Sequence, residues 1–455
     1  MRRKICAVLA LLLLTAYGAD CQPHKKRKLS RPGTKAKEEL VKQEPRTKEE
    51  ILKPLETRAA PAREEENLIA RALSAVTLNT ASGPVIFLPV ADSSRDLGPS
   101  FGLMPIFAVR KKFSGDMKAV IVPSVNYNDN LGTTLTYRHY IFPDAQRYFI
   151  LRASRSQRVE RELMAYYYTP KLLDSAVRFS FEAKHWITGK PSFYGMGIDS
   201  DRRQKANYAL NITGEELTAD LPLVKNIFLS FNNSFFYKKI SDGPVEAAQL
   251  SDRFPALYEG AAELRKFHTN RFSLVYDDTD HLYLPKIGTY ASASALYSNT
   301  SLGSDYEYRA YAFQVKSYYN YKEEGRFVTA VHSLMQFQRG AELPFYALAQ
   351  LGEGTGLRMA GDGRFVDKAK FVFTIEERIT LSKSPFFKFI SETELAPFLD
   401  MGTVFSKPSA FRAREMKFGP GISARLVIRP QLVAVMDFAF GSEGTNAIIK
   451  VGYPF

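Results

Sequence analysis

The sequence predicts an all-β protein, an antiparallel transmembrane β-barrel of about 16 strands behind a disordered tail. Three observations lead there. A short apolar export segment opens the chain, and alternating strand-like runs fill it from about residue 100 without a domain linker. The last strand then alternates through to a terminal aromatic.

The export segment begins with Arg2, Arg3 and Lys4, continues through apolar residues from Ile5 to Leu14 and reaches small residues at Ala16, Gly18 and Ala19. This is the pattern of a secretory signal peptide, residues 1–19, cleaved near Ala19. The apolar run is shorter than the roughly 20 residues of a membrane helix, and no later stretch approaches that length. Cys21 raises a lipoprotein reading, but Asp20 before it does not suit that processing. Cleavage before Cys21 leaves one thiol, which excludes an internal disulfide framework or a cysteine metal site.

Residues 20–95 are expected to form a disordered periplasmic tail. The basic run from Lys25 to Lys28 is followed by mixed Lys and Glu with Pro32, Pro45, Pro54 and Pro61, a composition that cannot bury enough apolar surface to order itself. A short helix fits from Glu64 to Leu73. The formal charge is +14. An exported chain meets anionic lipid and lipopolysaccharide first, and its basic residues are scattered rather than striped, so nucleic acid is not an expected partner.

Residues 96–455 read as strands and turns. Counting back from the terminus, runs fall near 446–455, 432–440, 414–427, 392–402, 368–381, 326–338, 307–321, 287–299, 269–278, 225–238, 204–220, 175–186, 160–169, 147–155, 131–142 and 118–127, with a further candidate at 101–111. From Ile227 to Tyr237 the odd positions Ile227, Leu229, Phe231, Phe235 and Tyr237 are apolar, while Ser230, Asn232 and Ser234 lie between them. A soluble sandwich has the same alternation. The export segment, the continuous length and 24 Tyr with 33 Phe, enough for two aromatic girdles, favour lipid. The terminal strand places Ala447, Ile449, Val451, Tyr453 and Phe455 on one face, and Tyr453 and Phe455 read as a C-terminal assembly signal.

Enzyme motifs are absent. The six histidines are dispersed without His-Glu-x-x-His, and no Gly-x-Ser-x-Gly elbow occurs. Gly352 to Gly356 mimics a phosphate loop but precedes no apolar helix, and reads as flexible loop. His185-Trp186 and His139-Tyr140 sit at strand ends, where interfacial packing accounts for them. No cofactor, metal or catalytic residue is expected.

Four segments resemble the bacterial surface antigen family of outer-membrane barrels, the group of the BamA and TamA assembly factors. Leu357-Arg358 with Gly363-Arg364-Phe365 and Asp367 resembles the family's inward-folded loop. Phe398, Asp400 and Gly402 match its Phe-x-Asp-x-Gly strand. Tyr276 to Asp280 with Pro285 and Gly288 resembles its Asp-x-Arg-Asp hairpin, and Phe193 to Gly197 an aromatic-Tyr-Gly-x-Gly element. The chain departs from the pattern at Met359, Ala360 and Thr279.

The resemblance implies a loop folded into the barrel, with Arg358 gripping Asp400 bidentately in a fork that lysine cannot reproduce. Strand parity agrees: Leu395, Leu399 and Met401 suit lipid, which turns Glu394, Phe398, Asp400 and Gly402 inward. A charge on the lipid face costs roughly 2–4 kcal/mol. Glu376, Arg378 and Asp437 point inward by the same alternation and extend the network. The alternative for Arg358 is a solvated loop charge.

The family implies assembly or translocation of proteins or lipids at the outer membrane of a Gram-negative cell, with the cell's barrel-assembly machinery inserting this chain. A seam between the first strand and the strand ending at Phe455 would open sideways, because Pro454 removes a ladder donor and Gly452 packs little. Residues 22–95 are too charged and proline-rich for the family's periplasmic polypeptide-transport-associated domains, so family membership implies the fold more than the activity. A passive pore and a surface-interaction barrel remain the other two readings.

Overall fold

The computed structural model describes residues 77–451, apart from 81–82, 95–96, 111–116, 145, 282–283, 322–324, 387–388 and 429–431. The expected signal peptide, the helix expected from Glu64 to Leu73 and the terminal Tyr453 and Phe455 lie outside the described residues.

Among the described residues, twenty-three strands follow one another. The first nine are β1 (Thr77–Thr80), β2 (Gly83–Ser94), β3 (Gly98–Arg110), β4 (Met117–Ile121), β5 (Ser124–Asn128), β6 (Gly132–Ile141), β7 (Tyr148–Ser156), β8 (Arg161–Thr169) and β9 (Arg178–Thr188). Then come β10 (Ser192–Phe193), β11 (Ala206–Val224), β12 (Ile227–Asp242), β13 (Arg265–Asp277), β14 (Gly288–Ser298), β15 (Tyr308–Asn320) and β16 (Phe327–Gly340). The last are β17 (Ala349–Leu351), β18 (Phe365–Asp367), β19 (Ala369–Phe386), β20 (Phe389–Phe405), β21 (Lys417–Ile428), β22 (Leu432–Ala439) and β23 (Asn446–Val451). The wall is antiparallel and pairs in chain order, with β16 on β19 across the loop that holds β17 and β18. No helix among the described residues is long and apolar enough to cross a membrane.

The wall is longer than expected. With β4 and β5 taken as one interrupted strand, and the short β1 and β10 set aside, the 21-stranded sheet has 18 wall strands among the described residues. The expected tail boundary at residue 95 is corrected with it: β2 pairs with β3 from Val85 opposite Phe107 to Ser94 opposite Gly98. Pro84 and Pro89 and an unalternating apolar run give this segment the look of a linker. Proline is tolerated there because β2 is the first full strand, where one side needs no ladder donor. An even count leaves both described ends at one rim, and the turns at that rim are mostly short, as at Lys225-Asn226 between β11 and β12. The opposite rim carries the long loops, which sets the first rim at the periplasmic side.

Alternation sorts the side chains. Along β12, Phe228, Asn232, Ser234, Phe236 and Ile240 are buried inward, whereas Leu229 is exposed on the other face. Exposed Phe272, Leu274, Phe313, Val315 and Phe418 continue that outer apolar face on β13, β15 and β21. So much apolar surface is unfavourable against water and favourable against hydrocarbon. Inside the long-loop rim, Phe193, Tyr208, Leu250, Phe267, Phe345 and Val366 form one core, to which the helices Leu250–Arg253 and Pro255–Ala262 contribute.

The sheet ends meet at β2 and β23, whose Cα atoms approach within 8 Å. Among the described residues, ladders run from β1 to β23 but none joins β23 back to β2. Leu426 of β21 packs against Ile86, Ile106 and Val122, so the two ends also touch through apolar side chains.

Phe313→Arg, on the outer face near the middle of β15, should destabilise the barrel in liposomes by about 2–4 kcal/mol in equilibrium urea unfolding. Ser292→Ala on the lumen face should change it by less than about 1 kcal/mol. Equal effects would mean that the outer face does not meet lipid.

Candidate functional site

Residues 341–368 leave the long-loop rim between β16 and β19 and pack on inward-facing side chains of the wall. The turn Phe345–Ala347 leads into the β17–β18 hairpin, paired from Ala349 opposite Asp367 to Leu351 opposite Phe365. The segment expected as flexible loop is a defined turn, Glu353–Thr355, closed by the Leu357 amide donating to the Gly352 carbonyl at 2.9 Å. Gly356 has φ +118°, and a Cβ there would collide with Val372 of β19, so only glycine fits. Leu357, Met359, Ala360 and Phe365 are completely buried, against Val372, Phe398, Val404 and Ala439 of the wall.

Arg358 is at the centre of this packing. Its Nε and Nη2 donate to Asp400 Oδ2 and Oδ1, each at 2.8 Å, and its backbone amide donates to Oδ2 at 3.1 Å. Thr374 Oγ1 donates to the same carboxylate at 3.0 Å. The guanidinium carbon lies 3.3 Å from the centre of the Phe398 ring, and Asn446 of β23 donates to the Arg358 carbonyl at 2.9 Å. The third guanidinium nitrogen, Nη1, is 3.6 Å from Glu376 Oε2 and 3.5 Å from Asp437 Oδ1. Arg358 is 3% exposed and Asp400 1%, so the solvated-charge alternative does not describe this residue.

Glu376 extends the cluster. It accepts from both Nη atoms of Arg425, at 3.0 and 2.7 Å, and from Arg378 Nε at 2.6 Å. Three guanidinium groups, of Arg358, Arg378 and Arg425, thus meet Asp400, Glu376 and Asp437 in a buried space, and buried Glu394 stands opposite Arg425 in register. Desolvating charges is expensive, and the arrangement is tolerable because opposite charges alternate in it and Arg358 and Arg425 are fork-paired.

Sterics complete the seat. A Cβ at Gly402 would stand 3.0 Å from both Leu351 methyl groups, so glycine there leaves room for the hairpin. Gly363 has φ +66° and packs against the Ser192 carbonyl. Met359, which departs from the family pattern, fits because Gly419 and Gly441 face it without side chains. Arg364 forms a second clamp: Nε donates to Glu443 Oε2 at 2.6 Å, Nη1 and Nη2 donate to Ser200 Oγ and O at 2.8 and 2.9 Å, and the group lies 4.7 Å from the Tyr194 ring.

A turn from the other rim reaches the same region. In residues 278–287, Asp280 Oδ1 accepts from the Lys286 and Ile287 amides at 2.8 and 3.1 Å, and Gly288 adopts φ +109° against the Asp278 carbonyl. Leu284 then packs on Val427, Val433 and Val435 of β21 and β22. Lys286 Nζ pairs with Glu392 at 2.9 Å, and Arg378 Nη1 donates to the Pro285 carbonyl at 3.4 Å.

The structure therefore brings Arg358, Phe398, Asp400, Glu376, Arg378 and Asp437 together, while Arg364 with Phe365 sits in the neighbouring clamp. Sequence reasoning missed Arg425, Thr374, Asn446, Glu443 and Ser200. Arg425 had a signal, since it shares inward parity with Ser423 and Val427. Glu443 and Ser200 lie in loops, where parity says nothing.

A barrel whose lumen holds a long loop clamped by a bidentate arginine belongs to the class of plugged outer-membrane barrels. Residues 147–446 match the Omp85 superfamily domain, and the chain belongs to that superfamily. The fold resembles BamA from Haemophilus ducreyi lacking POTRA domains 1–3, at 15% identity over 76% of this chain and 73% of that one, TM-score 0.49. CdiB from Acinetobacter baumannii aligns at 11% identity over 81% of this chain and 59% of that one, TM-score 0.44. Wzi from Escherichia coli, an outer-membrane protein of group 1 capsule assembly described as a carbohydrate-binding barrel, aligns at 8% identity over 82% and 83%, TM-score 0.37. No curated protein matches this sequence.

Arg358→Lys keeps the charge and loses the fork. It should leave a folded barrel whose residues 341–368 become cleavable by trypsin in liposomes. Arg358→Ala, which leaves Asp400 buried without its partner, should lower stability by about 3–5 kcal/mol in urea unfolding. An unchanged protease pattern in Arg358→Lys would mean that the fork does not hold the loop.

Proposed function

We propose that this barrel works in assembly or translocation, helping to insert or move proteins or lipids at the outer membrane, and that it is exported by the N-terminal signal peptide. The observation that carries this reading is the seated loop. A passive pore gains nothing from a clamped obstruction, whereas a barrel acting through its wall needs the lumen blocked while the wall parts. A seam would lie where the two ends of the sheet meet, at β2 and β23. Leu357, Arg358, Gly363, Arg364 and Phe365 are in this reading the plug, Phe398, Asp400 and Gly402 its seat, and Glu376, Arg378 and Asp437 its surrounding network. Tyr453 and Phe455 serve insertion of the chain itself by the barrel-assembly machinery.

The test is the outer-membrane protein and lipid inventory of cells depleted of this protein. Specific barrels or lipids should fall, recover with the wild-type gene and stay low with an Arg358→Ala copy that is itself inserted. An unchanged inventory would overturn the proposal and leave a pore or a surface-interaction barrel. In planar bilayers the wild type should pass only small, fluctuating current; a large steady current would favour the pore.

A further inference from the structure

At the long-loop rim, a pocket of about 220 Å³ lies across the ends of four neighbouring strands, β15, β16, β19 and β20. Its polar lining comes from Tyr308, Gln338, Arg339, Lys368, Ser406 and Lys407, with no carboxylate among the lining residues. Arg339, Lys368 and Lys407 are exposed, and Arg309, directly opposite Arg339 in register, is exposed as well. Among the described residues no ion pair joins these four side chains to a carboxylate, in contrast to the fork-paired arginines of the lumen, although Asp367, whose Oδ1 accepts from the Lys368 amide at 2.7 Å, stands next to Lys368.

The wall below the cations is aromatic. Tyr311 and Phe337 face each other one step down the same outer face, their rings 5.1 Å apart, and exposed Phe313 follows. Alternate residues on a strand stand about 7 Å apart, so Arg309 and Arg339 sit one headgroup layer above an aromatic belt, with Lys368 and Lys407 beside them at the strand ends. Aromatics mark the depth of the membrane interface, and exposed cations just above it meet the charged part of a lipid. Arginine and lysine together favour phosphate, which accepts both the guanidinium fork and the ammonium point charge.

We infer that this rim pocket binds a phosphate group of an outer-leaflet glycolipid, anchoring the lipid against β15, β16, β19 and β20. The inference uses the outer-membrane location and the pocket, and does not depend on the role of the plug.

The full chain, purified in detergent, is titrated with bisphosphorylated lipid A and, separately, with its dephosphorylated form, and binding is read by native mass spectrometry. The wild type should prefer the phosphorylated form. Arg339→Gln/Lys368→Gln/Lys407→Gln should lose roughly a hundredfold in affinity for it. Lys118→Gln/Lys171→Gln/Lys225→Gln, at the opposite rim, should bind as the wild type does. A heat-modifiable gel shift confirms that each variant is a folded barrel. Equal binding of the dephosphorylated form, full binding by the rim variant, or equal loss in the opposite-rim variant would each overturn the site. Displacement of the lipid by low-millimolar inorganic phosphate would make it a free-anion site and overturn the lipid assignment.

Discussion

The interior is organised by one buried guanidinium. Arg358 is carried on a loop, and a loop gives its side chain no covalent reason to sit in the lumen; what fixes it is the fork to Asp400 and the Phe398 face beneath it. An arginine cannot shed its proton to escape burial, so once the loop is inside, its charge must be met by carboxylates. They come from three strands: Glu376 on β19, Asp400 on β20 and Asp437 on β22. Those carboxylates would in turn repel one another without a cation, and Arg378 and Arg425 share that task around Glu376. The loop and the inner wall therefore need each other.

Shape enforces what charge permits. Gly402 admits Leu351, Gly419 and Gly441 admit Met359, and Gly356 turns where a side chain would strike Val372. Close-packed interiors do not absorb an extra methyl group without shifting, so these positions make the seat specific rather than merely sticky. From the other rim, Leu284 fills the apolar patch of Val427, Val433 and Val435, and Lys286 and Pro285 reach Glu392 and Arg378. Loops from both rims thus converge on β19 to β22.

Much of this was legible in the sequence because a half-lipid, half-lumen strand must alternate, and a slip of one residue would turn every side chain to the wrong face. The expected runs from 118–127 onward each meet a wall strand, and 101–111 meets β3. Alternation failed at β2, whose Pro84, Pro89 and continuous apolar stretch carry no period. It also could not rank inward charges: Glu376, Arg378 and Arg425 share one face with many other polar residues, and only the motif around Arg358 singled out Asp400. Contacts between loops, such as Arg364 with Glu443 and Ser200, depend on chain separations of 79 and 164 residues that no local pattern encodes.

The plug is tied unevenly around the wall. Asn446 of β23 holds the Arg358 carbonyl, and Asp437 of β22 lies beside its guanidinium, so the last two strands are bonded to the plug. Swinging β22 and β23 outward would strip a buried charge of neighbours and expose it, which is costly. The described contacts of the first strands with the far end of the sheet include an apolar one: Leu426 of β21 packs against the cluster of Ile86, Ile106 and Val122, a contact without directional bonds.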